Sequence, residues 1–394
     1  MRGRFLRFRT VLRVFLSSLA ATALTSAAQS VVHVKIANDA VLVPVIVNGE
    51  QFSFLLDTGS EQSVIDASSA ARIDLKATHT IPVERSFAVQ SADVAEVATI
   101  RIATRTFDRQ PLAIMDLRFE SGALETSVDG ILGTDLLAEF PFRLNYAQQT
   151  ITIDSIKHFG SLGMLVKLRP NHHQFFIPVA INSAKSDFLL DTGTNSTDLG
   201  FGVWQAVYRD WKPTIVVDGV LRAGDPPARS FLVCLPSMTI GNAVINNQVV
   251  RVQERTEAGA FASAAFGGIL GSDALRRFEV IFDLERQRIF LHKDSHFQPD
   301  PYRYVTVGLQ FAKTEDAYTV MSVWTNSPAA AAGIREADRI LAINDEKTKG
   351  MSIEEVSKRL HRKEGTSINL TIQRGSELSI VTIRTKQLLC QPEP

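Results

Sequence analysis

The sequence predicts a mostly β protein, built from two tandem all-β lobes followed by a small α+β domain. At 394 residues the chain is too long for one ordinary domain. Its middle repeats itself, so that one unit of about 130 residues occurs twice. Beyond about residue 300, alternating strands give way to capped helices set between strands.

The composition suits a folded chain. With 45% hydrophobic and 21% charged residues, 23 Gly and 15 Pro, a disordered, collagen-like or coiled-coil protein is excluded. Lys+Arg and Asp+Glu both number 42, so the basic surplus that nucleic-acid binding needs is missing. Residues 1–28 hold Arg2, Arg4, Arg7, Arg9 and Arg13 and no acid, which leaves the rest net acidic. This Arg-rich start precedes an uncharged run from Val14 that ends in Ser26-Ala27-Ala28, small residues spaced as at a signal-peptidase site before Gln29. The reading is a signal peptide over 1–28 and export to the periplasm or medium. The alternative is an uncleaved anchor, because the run from Val14 to Val32 is long enough to span a bilayer, though weakly apolar. Only in that case is a membrane a partner.

The repeat is specific. Val43-Pro44-Val45-Ile46-Val47-Asn48 is echoed by Ile177-Pro178-Val179-Ala180-Ile181-Asn182. Phe54-Leu55-Leu56-Asp57-Thr58-Gly59 recurs identically as Phe188-Leu189-Leu190-Asp191-Thr192-Gly193. Gly130-Ile131-Leu132-Gly133-Thr134-Asp135 returns as Gly268-Ile269-Leu270-Gly271-Ser272-Asp273. Val43, Val45 and Val47 alternate and run into Asn48-Gly49, a strong hairpin signal. Short helices are expected only at 135–140 and 273–278, and each copy closes on alternating strands near Phe142 and Phe278. Lobe 1 is placed at 29–160 and lobe 2 at 161–297.

In the third segment, 302–390, Ser327-Pro328 reads as an N-cap with proline at the first helical position, and Gly333 as a C-terminal cap. Ser352-Ile353-Glu354-Glu355 reads as a capping box. Strands are expected at 318–323, 339–343, 367–373 and 378–384. Residues 296–301, with two prolines, make the linker, and few contacts are expected to cross it. Cys234 and Cys390 fall far apart in different domains, so free or buried thiols are expected rather than a bridge. Two cysteines build no metal set, and His172-His173 reads as a loop after Pro170. No metal or other cofactor is expected.

Two apolar-apolar-Asp-Thr-Gly turns, each followed by Ile-Leu-Gly, resemble the aspartic protease family, here as two retropepsin-like units fused over residues 40–292. The physical reading agrees with the resemblance. A strand ending in Asp puts a carboxylate at the end of an apolar wall, and Gly lets the chain turn beside it. If the repeats pack about a pseudo-two-fold axis, Asp57 and Asp191 face each other and hold one proton between them. The resemblance implies that Thr58 and Thr192 cross-brace the turns, that Gly59 and Gly193 support the pair, and that each Ile-Leu-Gly strand packs beneath its Asp. Asp66, Asp129 and Asp135 read as surface or turn residues. Candidate flaps over the cleft are 86–97, with Phe87 a possible tip aromatic, and 217–232, with Gly219 and Gly224.

Residues 302–390 resemble a PDZ domain of bacterial proteases, with Gly308-Leu309-Gln310-Phe311 as its carboxylate-binding loop. Ala337 stands where that family has Gly, so an altered turn is expected there. The resemblance implies peptide C-termini bound between strand 309–312 and helix Ile353–Leu360. Together these readings give an exported aspartic endopeptidase acting on peptide or protein substrates, monomeric because one chain supplies both acids. The alternative is a non-catalytic peptide-binding adaptor on a vestigial protease fold.

Overall fold

The structure, a computed structural model, describes residues 30–84, 89–153, 156–213, 216–221, 229–254, 260–263, 266–300, 302–314 and 316–390. The expected signal peptide lies outside them. Asn48 and Gly49 take φ of 49° and 89° and close a tight hairpin between Ala40–Val47 and Glu50–Leu56. The alternating Val43, Val45 and Val47 are buried on it. In the second copy Asn182, at φ 52°, turns Gln174–Ile181 into Ala184–Leu190.

From these hairpins grow two eight-stranded sheets with the same strand order. The first runs Lys35–Ala37, Ala40–Val47, Glu50–Leu56, Gly130–Leu132, Val64–Asp66, Arg105–Met115, Val89–Ile102, His79–Glu84. The second runs Arg169–Asn171, Gln174–Ile181, Ala184–Leu190, Gly268–Leu270, Asp198–Leu199, Ala243–Gln253, Arg229–Ile240, Val216–Leu221. In both, the strand leading into Asp-Thr-Gly pairs in parallel with the Ile-Leu-Gly strand, Leu56 with Leu132 and Leu190 with Leu270.

A six-stranded sheet joins the two repeats. It contains Ser30–His33, Thr150–Ile153, Phe142–Asn145, Phe278–Asp283, Arg288–Lys293 and Met164–Lys167, in that order. The strand that closes one copy pairs with the strand that closes the other, and Phe142 stacks on Phe282 with ring centroids 4.6 Å apart. One continuous apolar core therefore runs through both lobes. Val32, the end of the uncharged N-terminal run, lies in this sheet.

The expected short helices are single turns, Thr134–Leu137 and Ser272–Leu275. Three others escaped the sequence reading. Ala67–Arg72 is capped by Asp66, Arg118–Leu124 follows the Arg105–Met115 strand, and Phe201–Asp210 buries Trp204 and Val207 against lobe 2. Among the described residues, no helix is long and apolar enough to cross a membrane.

The C-terminal module is a five-strand path, Leu309–Lys313, Tyr318–Val323, Arg339–Ile343, Ser367–Arg374 and Glu377–Arg384, around its own core. Both caps form: Ser327 accepts from the amide of Ala330, and Ser352 with Glu355 makes the capping box of Ile353–Leu360. Ala337 keeps the turn expected of a glycine by adopting φ 67°, and Asp338 beside it is buried and paired with Arg374 at 2.7 Å.

The expectation of a sparsely contacted linker is corrected. Arg303 reaches back to Asp39 of lobe 1 at 3.2 Å, and Phe297 lies against the guanidinium groups of Arg276 and Arg277. Val217 and Val249 of lobe 2 share a buried cluster with Leu388 and Leu389, with Tyr304 and Trp324 packed on it. Ser322 donates to the carbonyl of Gly219, and Thr325 to the carboxylate of Asp218. The expectation of two thiols is corrected too, because Cys234 and Cys390 form a disulfide with Cα atoms 5.3 Å apart. The tail turns back after the last long strand, pairs Lys386–Gln387 with Val305–Thr306, and so delivers Cys390 to lobe 2. Separation along the chain carried no information about this.

Candidate active site

Each Asp-Thr-Gly turn is fixed by the strand pairing beneath it. The Asp57 amide donates to Leu132 O at 3.0 Å and the Asp191 amide to Leu270 O at 3.1 Å, so each carboxylate stands at the end of a buried parallel pair. The threonines then tie the turns together. Thr58 Oγ1 donates to Leu190 O and Thr192 Oγ1 to Leu56 O, both at 2.8 Å. Each hydroxyl also accepts the other threonine's amide at 3.1 Å. Both threonines are fully buried, and a buried polar group left without its partner costs about 1–3 kcal/mol. The cross-brace is therefore self-consistent only with both hydroxyls present.

The turns bring Asp57 and Asp191 into hydrogen-bonding contact. Asp57 Oδ1 accepts the amides of Gly59 at 2.8 Å and Ser60 at 3.1 Å, and Asp191 Oδ1 accepts that of Gly193 at 2.8 Å. Burial raises the Asp57 carboxyl above its ordinary value. The Gly59 amide, the bond with Asp191 and the Ser60 amide oppose that rise without cancelling it, and the charge of Glu120 adds to it. Such a pair is suited to holding one proton.

The glycines act differently from the sequence reading. Neither Gly59 nor Gly193 has a positive φ. A Cβ at Gly59 would lie 2.6 Å from Asp191 Cγ, and one at Gly193 would lie 2.4 Å from Asp57 Cγ. Each glycine makes room for the opposite carboxylate.

Just after each Ile-Leu-Gly strand stands a hydrogen-bonded acid, a matched pair that the sequence reading missed. Asp135 accepts from the Ser63 hydroxyl at 2.6 Å, and Asp273 from the Thr197 hydroxyl at 2.7 Å. Burial raises both carboxyls above their ordinary value. The repeat itself held the signal, since Asp135 and Asp273 are matched in the two Ile-Leu-Gly motifs. The reading of Asp66, Asp129 and Asp135 as surface or turn groups is corrected accordingly. Asp66 is buried, caps a helix and accepts the Leu117 amide at 2.9 Å, while Asp129 accepts the Ser53 amide at 2.8 Å. Glu120, on the Arg118–Leu124 helix, was also missed, because a lone acid on a short helix carries no sequence signal.

The pair lies in a cleft of about 2460 Å³. Ile81, Pro82 and Val83 line it from the His79–Glu84 strand, which pairs with Val89–Ile102 as a hairpin. Of the candidate flap 86–97, the described residues 89–97 belong to the return strand of this hairpin, and Phe87 lies outside the described residues. The counterpart hairpin, Val216–Leu221 with Arg229–Ile240, leans on the C-terminal module through Asp218 and Gly219. Gly224 lies outside the described residues. His172 and His173 sit on an exposed turn, and among the described residues no group of three or more His, Cys, Asp or Glu could hold a metal ion.

The C-terminal module borders the same cleft, through Gln310, Phe311, Lys313 and Ile353. Gly308 has φ 83°, and a Cβ there would strike Ser327 at 2.2 Å. Leu309 is buried in the module's core, and Phe311 packs edge-on against Tyr318 at 5.6 Å. These residues open the Leu309–Lys313 strand, which is the edge of its sheet beside helix Ile353–Leu360.

Fold and site together define the class: a retropepsin-like aspartyl protease fold carrying a C-terminal PDZ domain. Residues 43–136 match the family model "Aspartyl protease", and residues 319–374 match the "PDZ domain" model. Over 85 residues the chain is 39% identical to a "Probable CtpA-like serine protease" of Staphylococcus aureus and 31% identical to one of Staphylococcus saprophyticus. That stretch is 22% of this chain and spans 17% of each relative's length. Among solved structures, the aspartic proteinase from Irpex lacteus aligns with 68% of this chain and 98% of its own, at 17% identity and a TM-score of 0.45.

Proposed function

We propose that this chain is an exported aspartic endopeptidase in which Asp57 and Asp191 share one proton. The observation that carries this reading is the contact between the two carboxylates, braced through Thr58 and Thr192 at the floor of an open cleft. The ionised member takes a proton from water, which attacks the scissile carbonyl. The protonated member hydrogen-bonds that carbonyl oxygen as charge develops on it. Chemistry of this kind is the handiwork of the pair, so one acid alone is inert. Because both acids come from one chain, the catalytic unit works as a monomer.

The C-terminal groove takes peptide C-termini as an added strand on the Leu309–Lys313 edge. The serine type in the names of the Staphylococcus relatives belongs to those proteins. Here the paired aspartates and the absence of a serine-centred elbow motif in the sequence favour the aspartic type.

Peptide-library cleavage tests this directly. Asp57→Asn and Asp191→Asn should each lower kcat/KM by about 10³-fold or more, as for groups that act as a unit. A statine-type transition-state analogue should inhibit, and a serine-directed sulfonyl fluoride should not. Full activity in either variant, or inhibition by the sulfonyl fluoride alone, refutes the aspartic reading. A folded wild type that cleaves nothing in the library favours the adaptor.

A further inference from the structure

The groove of the PDZ domain is not open along its whole length. At the end remote from Gly308, Glu125 of lobe 1 reaches across to it. Its Oε2 accepts the Ile353 amide at 2.5 Å, and its Oε1 accepts from Lys313 Nζ at 2.9 Å. Lys313 ends the edge strand and Ile353 begins the helix, so one carboxylate bridges both walls of the groove. The Glu125 side chain is only 19% exposed. Its backbone, at φ 47°, is in the left-handed region that a non-glycine residue adopts only at a cost. A second ion pair, Arg303 with Asp39, also joins lobe 1 to the segment beyond residue 300.

We propose that Glu125 is an internal stand-in for an acidic residue of the peptide that occupies this groove, and that ligands carrying such a residue displace it. This rests on the reading of the groove as a peptide site. A peptide with its terminal carboxylate at the Gly308 end runs antiparallel to Leu309–Lys313 and reaches Lys313 about four residues before its terminus. An Asp or Glu there takes over both bonds that Glu125 gives up. A neutral side chain breaks them and returns nothing, leaving Lys313 and the Ile353 amide without their carboxylate. The exchange also frees lobe 1 from the PDZ domain at the rim of the cleft that holds Asp57 and Asp191, since Glu125, Lys313 and Ile353 all line it. The partner is thus a protein or peptide with an acidic C-terminal segment.

Fluorescence anisotropy on the full chain tests this, with two short synthetic peptides that differ only by Glu or Gln at the fourth position from the C-terminus. The Glu peptide should bind the wild type about fivefold tighter or more, as for exchange of a charge-assisted hydrogen bond. Lys313→Met should erase the difference, and Glu125→Gln should tighten both peptides. Equal binding of the two peptides by the wild type overturns the proposal, as does unchanged affinity in Glu125→Gln. If neither peptide binds either protein, the groove is not a site for C-termini, and the inference falls with that reading. Cleavage that still depends on Asp57 would then leave the catalytic reading intact.

Discussion

At the active centre, geometry turns small residues into requirements. The glycine of Asp-Thr-Gly is an ordinary turn residue in sequence, yet here its missing Cβ is what lets the opposite carboxylate approach. Gly59→Ala should therefore lower kcat by about 10²-fold or more, as displacement of a reacting group by an ångström does, while the protein stays folded. Circular dichroism beside a peptidase assay checks this, and retained activity would mean the carboxylates have room to spare. Asp57 gives a pH signature. Its raised folded-state value means that the native state binds a proton which the unfolded chain releases. Stability from this group is present below the ordinary carboxylate value and is lost as pH rises through the raised one. Asp57→Asn buries no charge, so it should melt above wild type at neutral pH, with the gap closing as the pH is lowered toward 4. A gap that is constant with pH would rule out the raised titration. The identity of the two Asp-Thr-Gly hexapeptides made these residues readable in advance; the reason for each glycine was not, because it belongs to the opposite turn.

Elements follow the local pattern where local chemistry decides them. The Asn48-Gly49 hairpin, the Ser327 cap and the Ser352 capping box depend on residues within a few positions, and all form as the sequence indicates. The Phe201–Asp210 helix was not foreseen, since only Trp204 and Val207 of its apolar face are buried, with Val203 packed beside them. Ala337 is the instructive exception. The surrounding strands and the Asp338–Arg374 pair hold it at φ 67°, so the turn survives without its glycine. Replacing it with Gly removes the left-handed strain but loosens the unfolded chain. Ala337→Gly should stabilise the PDZ domain by about 0.5–1 kcal/mol, read from its unfolding midpoint in urea. No change or a loss would show that the strain is absorbed elsewhere.

At the scale of the molecule, the three segments are less separable than their sequence textures suggest. The disulfide, the Val217–Leu389 cluster and the Arg303–Asp39 pair all tie the segment after residue 300 to the lobes. A chain ending near Gln298 would expose Val217 and Val249 and leave Cys234 without its partner. It should aggregate or form a disulfide-linked dimer through Cys234, visible on non-reducing electrophoresis. A soluble, monomeric and active fragment would contradict this. In the full chain, Cys390→Ala should cost about 2–4 kcal/mol, because the bond closes a long loop in the unfolded state. An unchanged melting temperature would mean that the apolar cluster alone holds the domains.

The sequence by itself determined the two-lobed β architecture, the doubled Asp-Thr-Gly turns and the capped C-terminal module, because each is written in residues a few positions apart or in a repeat that can be compared with itself. Only the tertiary structure decided the rest. Pairing of the two closing strands around Phe142 and Phe282 sets the lobes face to face, and that brings the carboxylates together. The return of the tail to lobe 2 brings Cys390 to Cys234, and the placing of lobe 1 against the PDZ domain carries Glu125 to Lys313. These contacts join residues more than 130 positions apart, and burial of shared apolar surface chose them; no local pattern records which surfaces will meet.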